Sequence, residues 1–371
     1  MPRAGQGDVM HELLQRDAVN STQVNQAVGV VIIGRNEGER LRRCIESVAT
    51  APGPVVYVDS GSTDDSVSTA RKLGVEVVEL DMSTPFCAAR ARNVGYQKLM
   101  ERDSRLNFVQ FVDGDCEVVE GWLSVAAASL ESLPRVAIVT GRLHERSPER
   151  SIYNRLGDLE WNFAGAGEVE SVGGIFMIRS AAFEGVGRFD TSVPAGEEPE
   201  LCQRLTKHGW RILRLDQQMA WHDLAMVRFG QWWKRMVRFG YGSSDVGLRF
   251  GLPRFRRNNL RTRLWALWLF ASFAVGVIAV NFPTRGVGAS AELVLLILWP
   301  LQLSRIALRT WRRGQPFALA VAYAISIMIS YLPQIVGQML YWSDRTRNRS
   351  FRLVEYKTAN RASTRRDNQG D

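Results

Sequence analysis

The stretch VQFVDGDCE, residues 109–117, sets two carboxylates one residue apart at the end of an apolar run. Read as a buried strand, Val109–Val112 delivers Asp113-Gly114-Asp115 to the point where the chain leaves a sheet. The glycine is expected to let the backbone turn while both acids face one point. Two hard oxygen ligands there suit Mg2+ or Mn2+ better than zinc, because they leave coordination positions open for a substrate's phosphates. An isolated Asp-Gly-Asp reads as a plain turn between strands; the stretches around it argue for more.

Upstream, Val28–Ile33 is a continuous β-branched run suited to a strand covered on both faces. Leu41, Cys44, Ile45 and Val48 then fall at helical spacing within 40–48. A second strand, Val55–Val58, runs into DSGSTDDS, which is turn chemistry followed by residues that cap a helix. Val75–Leu80 reads as a third strand and Phe108–Val112 as a fourth. Strands alternating with helices predict a mostly parallel, doubly wound α/β sheet whose ligands sit beyond the carboxyl ends of its strands. Asn36, Glu37, Asp59, Asp64 and Asp113 all occupy such ends.

With these elements in order, the chain resembles the family-2 glycosyltransferases of the GT-A fold, inverting enzymes that use a nucleotide-diphospho-sugar donor. The resemblance covers roughly Val28 to His222. VVIIGRNEGERL is similar to the family's opening strand and nucleotide loop, with Gly34-Arg35 in place of the more usual Pro-x-Tyr. VDSGSTDDS resembles the second donor-binding loop and so implies that Asp59 and Asp64 lie near the base and ribose. AARARNVG resembles the Arg-Asn-x-Gly segment, implying Arg92 and Asn93 near the diphosphate, and VDGDC resembles the metal motif. ESVGGIFMIRSAAFEGVGRFD resembles the acceptor-side segment, where Gly173 and Gly174 would let backbone approach the sugar. AGEEPELCQRL resembles an acidic motif usually written Glu-Asp-x-Asp/Glu-Leu-x-x-Arg. It assigns Glu198 to the catalytic-base position, normally an aspartate, with Glu197 as competitor. WHD closes the match, and His222 resembles the histidine that completes the metal site in many relatives.

An inverting transfer needs a general base to deprotonate the acceptor hydroxyl as it attacks opposite the departing diphosphate. Glu198 is the candidate. A divalent cation neutralises charge on the leaving diphosphate, with Asp115 as direct ligand and Asp113 on the metal or the ribose. Arg92 adds a positive charge that stays ionised. Each has a plainer version: Glu197, Glu198 and Glu200 with Pro199 also make an ordinary acidic first turn of a helix. Cys44, Cys87, Cys116 and Cys202 lack metal or disulfide spacing and read as small reduced core residues.

Length and charge divide the molecule. The 371 residues carry a net charge of +9, yet residues 225–371 hold 23 Lys/Arg against 6 Asp/Glu, while residues 1–224 hold 24 against 32. The basic part shows no nucleic-acid-binding motif, and its charges flank apolar stretches, so no nucleic-acid partner is expected. Leu264–Phe282 is an uncharged run of 19 residues, which as a helix spans about 28 Å, close to a hydrocarbon core of roughly 30 Å. Val287–Leu303 is nearly as apolar but holds Glu292, which at that depth should face a partner helix or a watery groove. Phe317–Trp342 is a third apolar run interrupted by Pro333, read either as a full crossing or as a hairpin broken at the proline. Arginines at 254–263 and 305–313 bracket the first two runs, and the charge rule puts them and the catalytic part on the cytoplasmic side. FGQWWKRMVRFGYG alternates aromatic and basic residues, as in an amphipathic helix at headgroup level, with a plain domain helix as the alternative. Residues 1–25 are polar and lack the apolar core of a signal peptide.

The expected organisation is a polar segment 1–25, a GT-A catalytic domain 26–225, a basic juxtamembrane region 226–263, membrane helices within 264–342 (about 264–282, 287–304 and 317–342), and a basic tail 343–371. The expected function is that of a multi-pass cytoplasmic-membrane glycosyltransferase using a nucleotide-diphospho-sugar, UDP-linked by default from the resemblance, and Mg2+ or Mn2+. Its acceptor is a lipid-linked glycan, lipid or polysaccharide. A polyprenyl-phosphate acceptor is the alternative, since an ionised phosphate needs no general base. A noncatalytic membrane scaffold retaining the fold is the rival from another class.

Overall fold

In a computed structural model, which describes residues 28–84, 86–163, 165–281 and 287–347, the chain divides into two compact units. One is built on the residues before Pro148 and on Gly157–Ala225. The other is built, among the described residues, on Pro148–Leu156 and 226–347.

The elements follow in chain order as β1 (Val28–Gly34), α1 (Glu39–Ser47), β2 (Val55–Asp59), α2 (Ser66–Lys72), β3 (Glu76–Glu79), α3 (Ala88–Arg102), β4 (Phe108–Asp113), β5 (Cys116–Val118), α4 (Trp122–Ser132), β6 (Val136–Glu145), α5 (Ile152–Asn162), β7 (Gly167–Glu168), β8 (Phe176–Arg179), α6 (Ser180–Gly185), α7 (Glu197–Lys207), β9 (Arg211–His222), α8 (Phe229–Arg249), α9 (Pro253–Asn281), α10 (Val287–Trp311) and α11 (Phe317–Thr346).

The first unit is one sheet in the order β3-β2-β1-β4-β8-β6-β9-β5, with β7 paired to β9. Its first four strands are parallel, as the alternation of strands and helices requires. Beyond β4 the sheet is mixed: β8 runs antiparallel to both β4 and β6 and β5 antiparallel to β9, while β6 and β9 pair in parallel. Alternate residues of β1 feed two cores. Val28, Val30 and Ile32 pack with Leu41, Ile45, Tyr57 and Trp122 on one face. Val31 and Ile33 pack with Tyr96, Leu99, Phe111 and Phe183 on the other. Burial on both faces is why β1 is apolar without interruption. Helix α3 lies close on that second face because Gly95 has no Cβ; one built there would stand 2.4 Å from Val31 Cγ1.

The second unit contains α8 to α11. Backbones of α8 and α11 touch at glycines: a Cβ on Gly240 would sit 2.2 Å from the Gln334 carbonyl oxygen, and one on Gly337 2.1 Å from that of Val237. Such close crossings are the usual use of small residues between helices in an apolar medium. A buried polar network fills the same region. Ser243 Oγ donates to Asn259 Oδ1 at 2.8 Å, Thr262 Oγ1 to Gln334 Oε1 at 3.2 Å, and Arg263 Nε to Gln338 Oε1 at 2.8 Å. Helix α11 runs unbroken through Pro333, so the alternative of a hairpin broken at that proline is excluded; Gln334 Nε2 on Ser330 Oγ at 2.9 Å sits one turn around it. Among the described residues, α11 is the one helix long and apolar enough to cross a membrane by length and composition. Outward-facing Leu264, Leu267, Phe270 and Phe273 on α9 and Phe317, Ile325 and Met339 on α11 are exposed. In the aromatic-basic segment, Lys234 and Phe239 face outward, but Trp232 and Tyr241 are buried and support the helix packing instead. The expected segment 1–25, the loop around Arg285, the side chain of Glu292 and the tail beyond residue 347 lie outside the described residues.

Candidate active site

The ends of β1 and β2 are sewn together by side chains that cap backbone donors. Asn36, at φ 56°, accepts the Thr63 amide on Oδ1 at 2.7 Å, and its own amide donates to Ser62 Oγ at 2.9 Å. Ser66 Oγ accepts from the amides of Glu37 and Gly38. Asp59 is buried and accepts from the amides of Gly61 and Ser62 and from the Tyr57 hydroxyl at 2.8 Å. Asp64 caps the Ser66 amide at 3.0 Å, and Glu37 pairs with Arg40 at 2.8 Å. The residues singled out as donor contacts in these loops therefore first fix the loops' shape; what they leave facing outward is a rigid edge beyond the strands.

Next to it β4 ends at Asp113. The Gly114 amide donates to the Ile33 carbonyl at 2.8 Å, and a Cβ on Gly114 would meet Glu37 Cγ and that same carbonyl at 3.2 Å. The backbone turns at residues 114–115 as expected, with no positive φ at Gly114, and the glycine also eases this close approach. Asp115 is buried and its carboxylate lies 3.4 Å from His222 Nε2. Pairing of β5 with β9 sets Cys116 opposite His222, which is how Asp115 meets a histidine so distant in sequence. Ligand atoms of Asp115, Cys116 and His222 lie within 4.8 Å of one another. The Cys116 thiol donates to Asp115 Oδ1 at 3.4 Å, and burial, then the charge of Asp113, pushes its pKa well up. A carboxylate oxygen and an imidazole nitrogen this close together fit a divalent cation.

Beyond this, α7 begins after the left-handed Gly196 with Glu197 and Glu198. Arg92, one turn before Gly95 on α3, is buried and joins the two halves of the site. Its guanidinium stands 3.0 Å from Asp113, 3.0 Å from Glu197 and 3.1 Å from Glu198. Burial works against its charge, but Glu198, Asp113 and Glu197 outweigh that and raise its pKa. The Glu198 carboxyl is lifted to about 7, first by burial and then by the Glu197 charge, with Arg92 pulling it back down. Asp113, with 35 % of its side chain exposed, is the open member of the set. Gly174 presses on this cluster, since a Cβ there would fall 2.3 Å from Asp113 Oδ2 and 2.6 Å from an Arg92 nitrogen; Gly173 is open. Asn93 does not face the cluster: its amide donates to the Phe189 carbonyl at 2.9 Å and accepts the Phe189 amide at 3.1 Å.

Sequence reasoning passed over Glu145 and Trp161. Trp161 stands edge-on to His222 with ring centroids 4.6 Å apart, and Glu145 is buried beside the same ring. The signal available for Glu145 was the one used elsewhere, a carboxylate at the end of an apolar run, VAIVTGRLHE.

Residues 29–187 match the family model described as glycosyl transferase family 2. The pre-mycofactocin glycosyltransferase of Mycobacterium tuberculosis is 28% identical over 237 residues, covering 60% of this chain and 48% of that protein; the chain spans about half the length of the relative. An uncharacterized glycosyltransferase of Rickettsia conorii is 44% identical over 55 residues, 15% of this chain and 20% of its own. A mannosyltransferase of Pyrobaculum calidifontis, solved with GDP-Man and Mn2+, shares the fold at a TM-score of 0.51 and 17% identity, over 87% of this chain and 94% of its own. Residues 29–187 are thus a domain of the glycosyl transferase family 2 type, on a mixed α/β sheet whose fold the solved mannosyltransferase shares.

Proposed function

We propose that the protein transfers a sugar, with inversion, from a nucleotide-diphospho-sugar to a hydroxyl of an acceptor presented at a membrane. The observation that carries the reading is the cluster Asp113–Arg92–Glu197/Glu198, in which one buried guanidinium ties the metal-side acid to the acids at the start of α7. Glu198 takes the proton of the acceptor hydroxyl. A carboxyl with a pKa near 7 is both substantially ionised at neutral pH and basic enough to accept a proton in the transition state. Glu197, held by the same guanidinium, keeps that pKa raised. Arg92 fixes the orientation of both and of Asp113. Asp115 and His222, with Asp113, would hold Mg2+ or Mn2+, which when bound neutralises the negative charge of the leaving diphosphate. The mannosyltransferase of the same fold contains Mn2+, which supports this assignment. Asn36, Glu37, Asp59 and Asp64 shape the loops that receive the donor, taken as UDP-linked by default, Asn93 ties α3 to Phe189, and Gly173-Gly174 supplies the backbone edge on the acceptor side.

The acceptor class rests on the second unit. Its apolar residues face outward on α9 and α11, and α11 is long enough to cross a bilayer, which supports membrane attachment; further crossings and a cytoplasmic catalytic part rest on the apolar runs and flanking arginines of the sequence. A lipid-linked glycan, glycolipid or growing polysaccharide is then the acceptor within reach. Glu198→Gln tests the chemistry: with a hydroxyl acceptor, transfer by membranes supplied with labelled nucleotide-sugar should fall about 10²-fold or more. A variant that keeps its rate would point instead to an already ionised acceptor, such as a polyprenyl phosphate.

A further inference from the structure

We infer that Glu145 is a positioning residue for the metal ligand His222, an inference that rests on the metal reading above. Two strand pairings converge on this histidine. Antiparallel β5 sets Cys116, next to Asp115, directly opposite it, and parallel β6 sets Glu145 directly opposite it from the other side. His222 Nε2 consequently faces Asp115 at 3.4 Å, and Nδ1 faces Glu145 Oε2 at 4.0 Å. The Nδ1 atom is buried and has no hydrogen-bond partner, so the ring's second nitrogen is turned toward a carboxylate whose own side chain has no exposed surface.

That carboxylate is fixed. Its Oε1 accepts the Ser147 amide at 3.2 Å and its Oε2 the Leu224 amide at 3.1 Å, while the Arg146 amide donates to the His222 carbonyl at 2.9 Å. The Trp161 ring packs edge-on against the His222 imidazole, with centroids 4.6 Å apart. At 4.0 Å the pair acts through the field of a buried negative charge, which favours the proton on Nδ1 and leaves the Nε2 lone pair pointing at Asp115. An outer carboxylate behind a ligating histidine fixes its tautomer and raises its basicity. Glu145 therefore raises metal affinity without touching the metal.

The test is Mn2+ binding to the purified full-length protein, read by the electron spin resonance of free Mn2+ in wild type, Glu145→Gln, His222→Ala and the double variant. Glu145→Gln should weaken Mn2+ binding about tenfold to hundredfold and recover transfer at saturating Mn2+, as a merely structural corner would not. In the His222→Ala background the same change should add almost nothing. Unchanged Mn2+ affinity in Glu145→Gln, or a full additional loss in the double variant, overturns the inference while leaving the metal site standing. Wild type that binds no Mn2+, or His222→Ala that binds as wild type does, overturns the metal reading and the inference with it. Should Glu145→Gln not accumulate as folded protein, hyperfine spectroscopy of Mn2+-loaded wild type decides: coordination through Nε2 of His222 is expected, and coordination through Nδ1 refutes the role of Glu145.

Discussion

Arg92 and Glu198 set the behaviour of the site by opposing each other. Replacing Arg92 with alanine strips a guanidinium from three carboxylates, two of them largely buried, and removing one partner of a buried pair typically costs about 3–5 kcal/mol. Thermal unfolding of the variant should fall accordingly, and the loss should shrink at low pH, where the acids neutralise themselves. Glu198 gives a second signature. Its carboxyl is raised to about 7, above its unfolded value, so its ionisation opposes folding as pH rises toward 7. Below the unfolded value that penalty is absent. Glu198→Gln should therefore raise the melting temperature at pH 8 and leave it nearly unchanged at pH 4, while wild-type transfer should rise with pH through about 7 and the variant should lose that limb. Asp115→Ala, which removes a buried carboxylate beside His222, should abolish metal-dependent transfer with the sheet intact by circular dichroism; near-normal rates in the presence of EDTA would refute the assignment. The acids and His222 could be picked out from the sequence because each closes an apolar run or a motif. The meeting of Arg92 with Glu197 and Glu198 could not, since nothing in the spacing of residues 105 apart announces contact.

At the scale of elements, glycines decide where helices can lie. Gly95 brings α3 against β1 and so holds Arg92 over the site. Gly95→Ala gains helix propensity of about 1 kcal/mol but forces a methyl to 2.4 Å from Val31 Cγ1, and overpacking of a strand core costs about 1–3 kcal/mol. Net destabilisation together with slower transfer is expected, measured by melting and by rate on the same preparation. Gly337→Val in α11 should likewise part α11 from α8, lowering recovery of monodisperse protein in detergent. Strands β1, β2 and β4 could be read from hydrophobic pattern alone because each is buried along nearly its whole length, while the edge strand β3, Glu-Val-Val-Glu, is only half-buried. The antiparallel turn of β8 and the long pairing of β6 with β9 could not, for register between distant strands is set by loops whose length carries no pattern. Pro333 left two readings open for a physical reason: proline forfeits one hydrogen bond, yet neighbouring helices and the Gln334–Ser330 contact stabilise a helix that continues through it.

Across the whole molecule, charge and greasiness are segregated, with the acidic catalytic sequence followed by one that is basic and apolar. If the second unit is embedded in lipid, alkaline carbonate should leave the full-length protein in the membrane pellet and only detergent should release it; release by carbonate would reduce the attachment to surface contact. Exchange of Lys234, Arg235 and Arg238 for glutamine should then depress transfer to a membrane acceptor more than hydrolysis of donor, since basic groups near anionic lipid orient a protein already anchored. The nine residues Pro148–Leu156 carry a further implication. Because they group with the second unit while the chain before and after them belongs to the first, the polypeptide passes between the units at 147/148, again at 156/157 and a third time at 225/226. A protease cutting once near residue 225 would therefore nick the protein without freeing its catalytic half from the rest. In evolutionary terms the two parts cannot be traded as separate cassettes: a recombination break at the obvious boundary would carry off a catalytic half with a foreign stitch still in it.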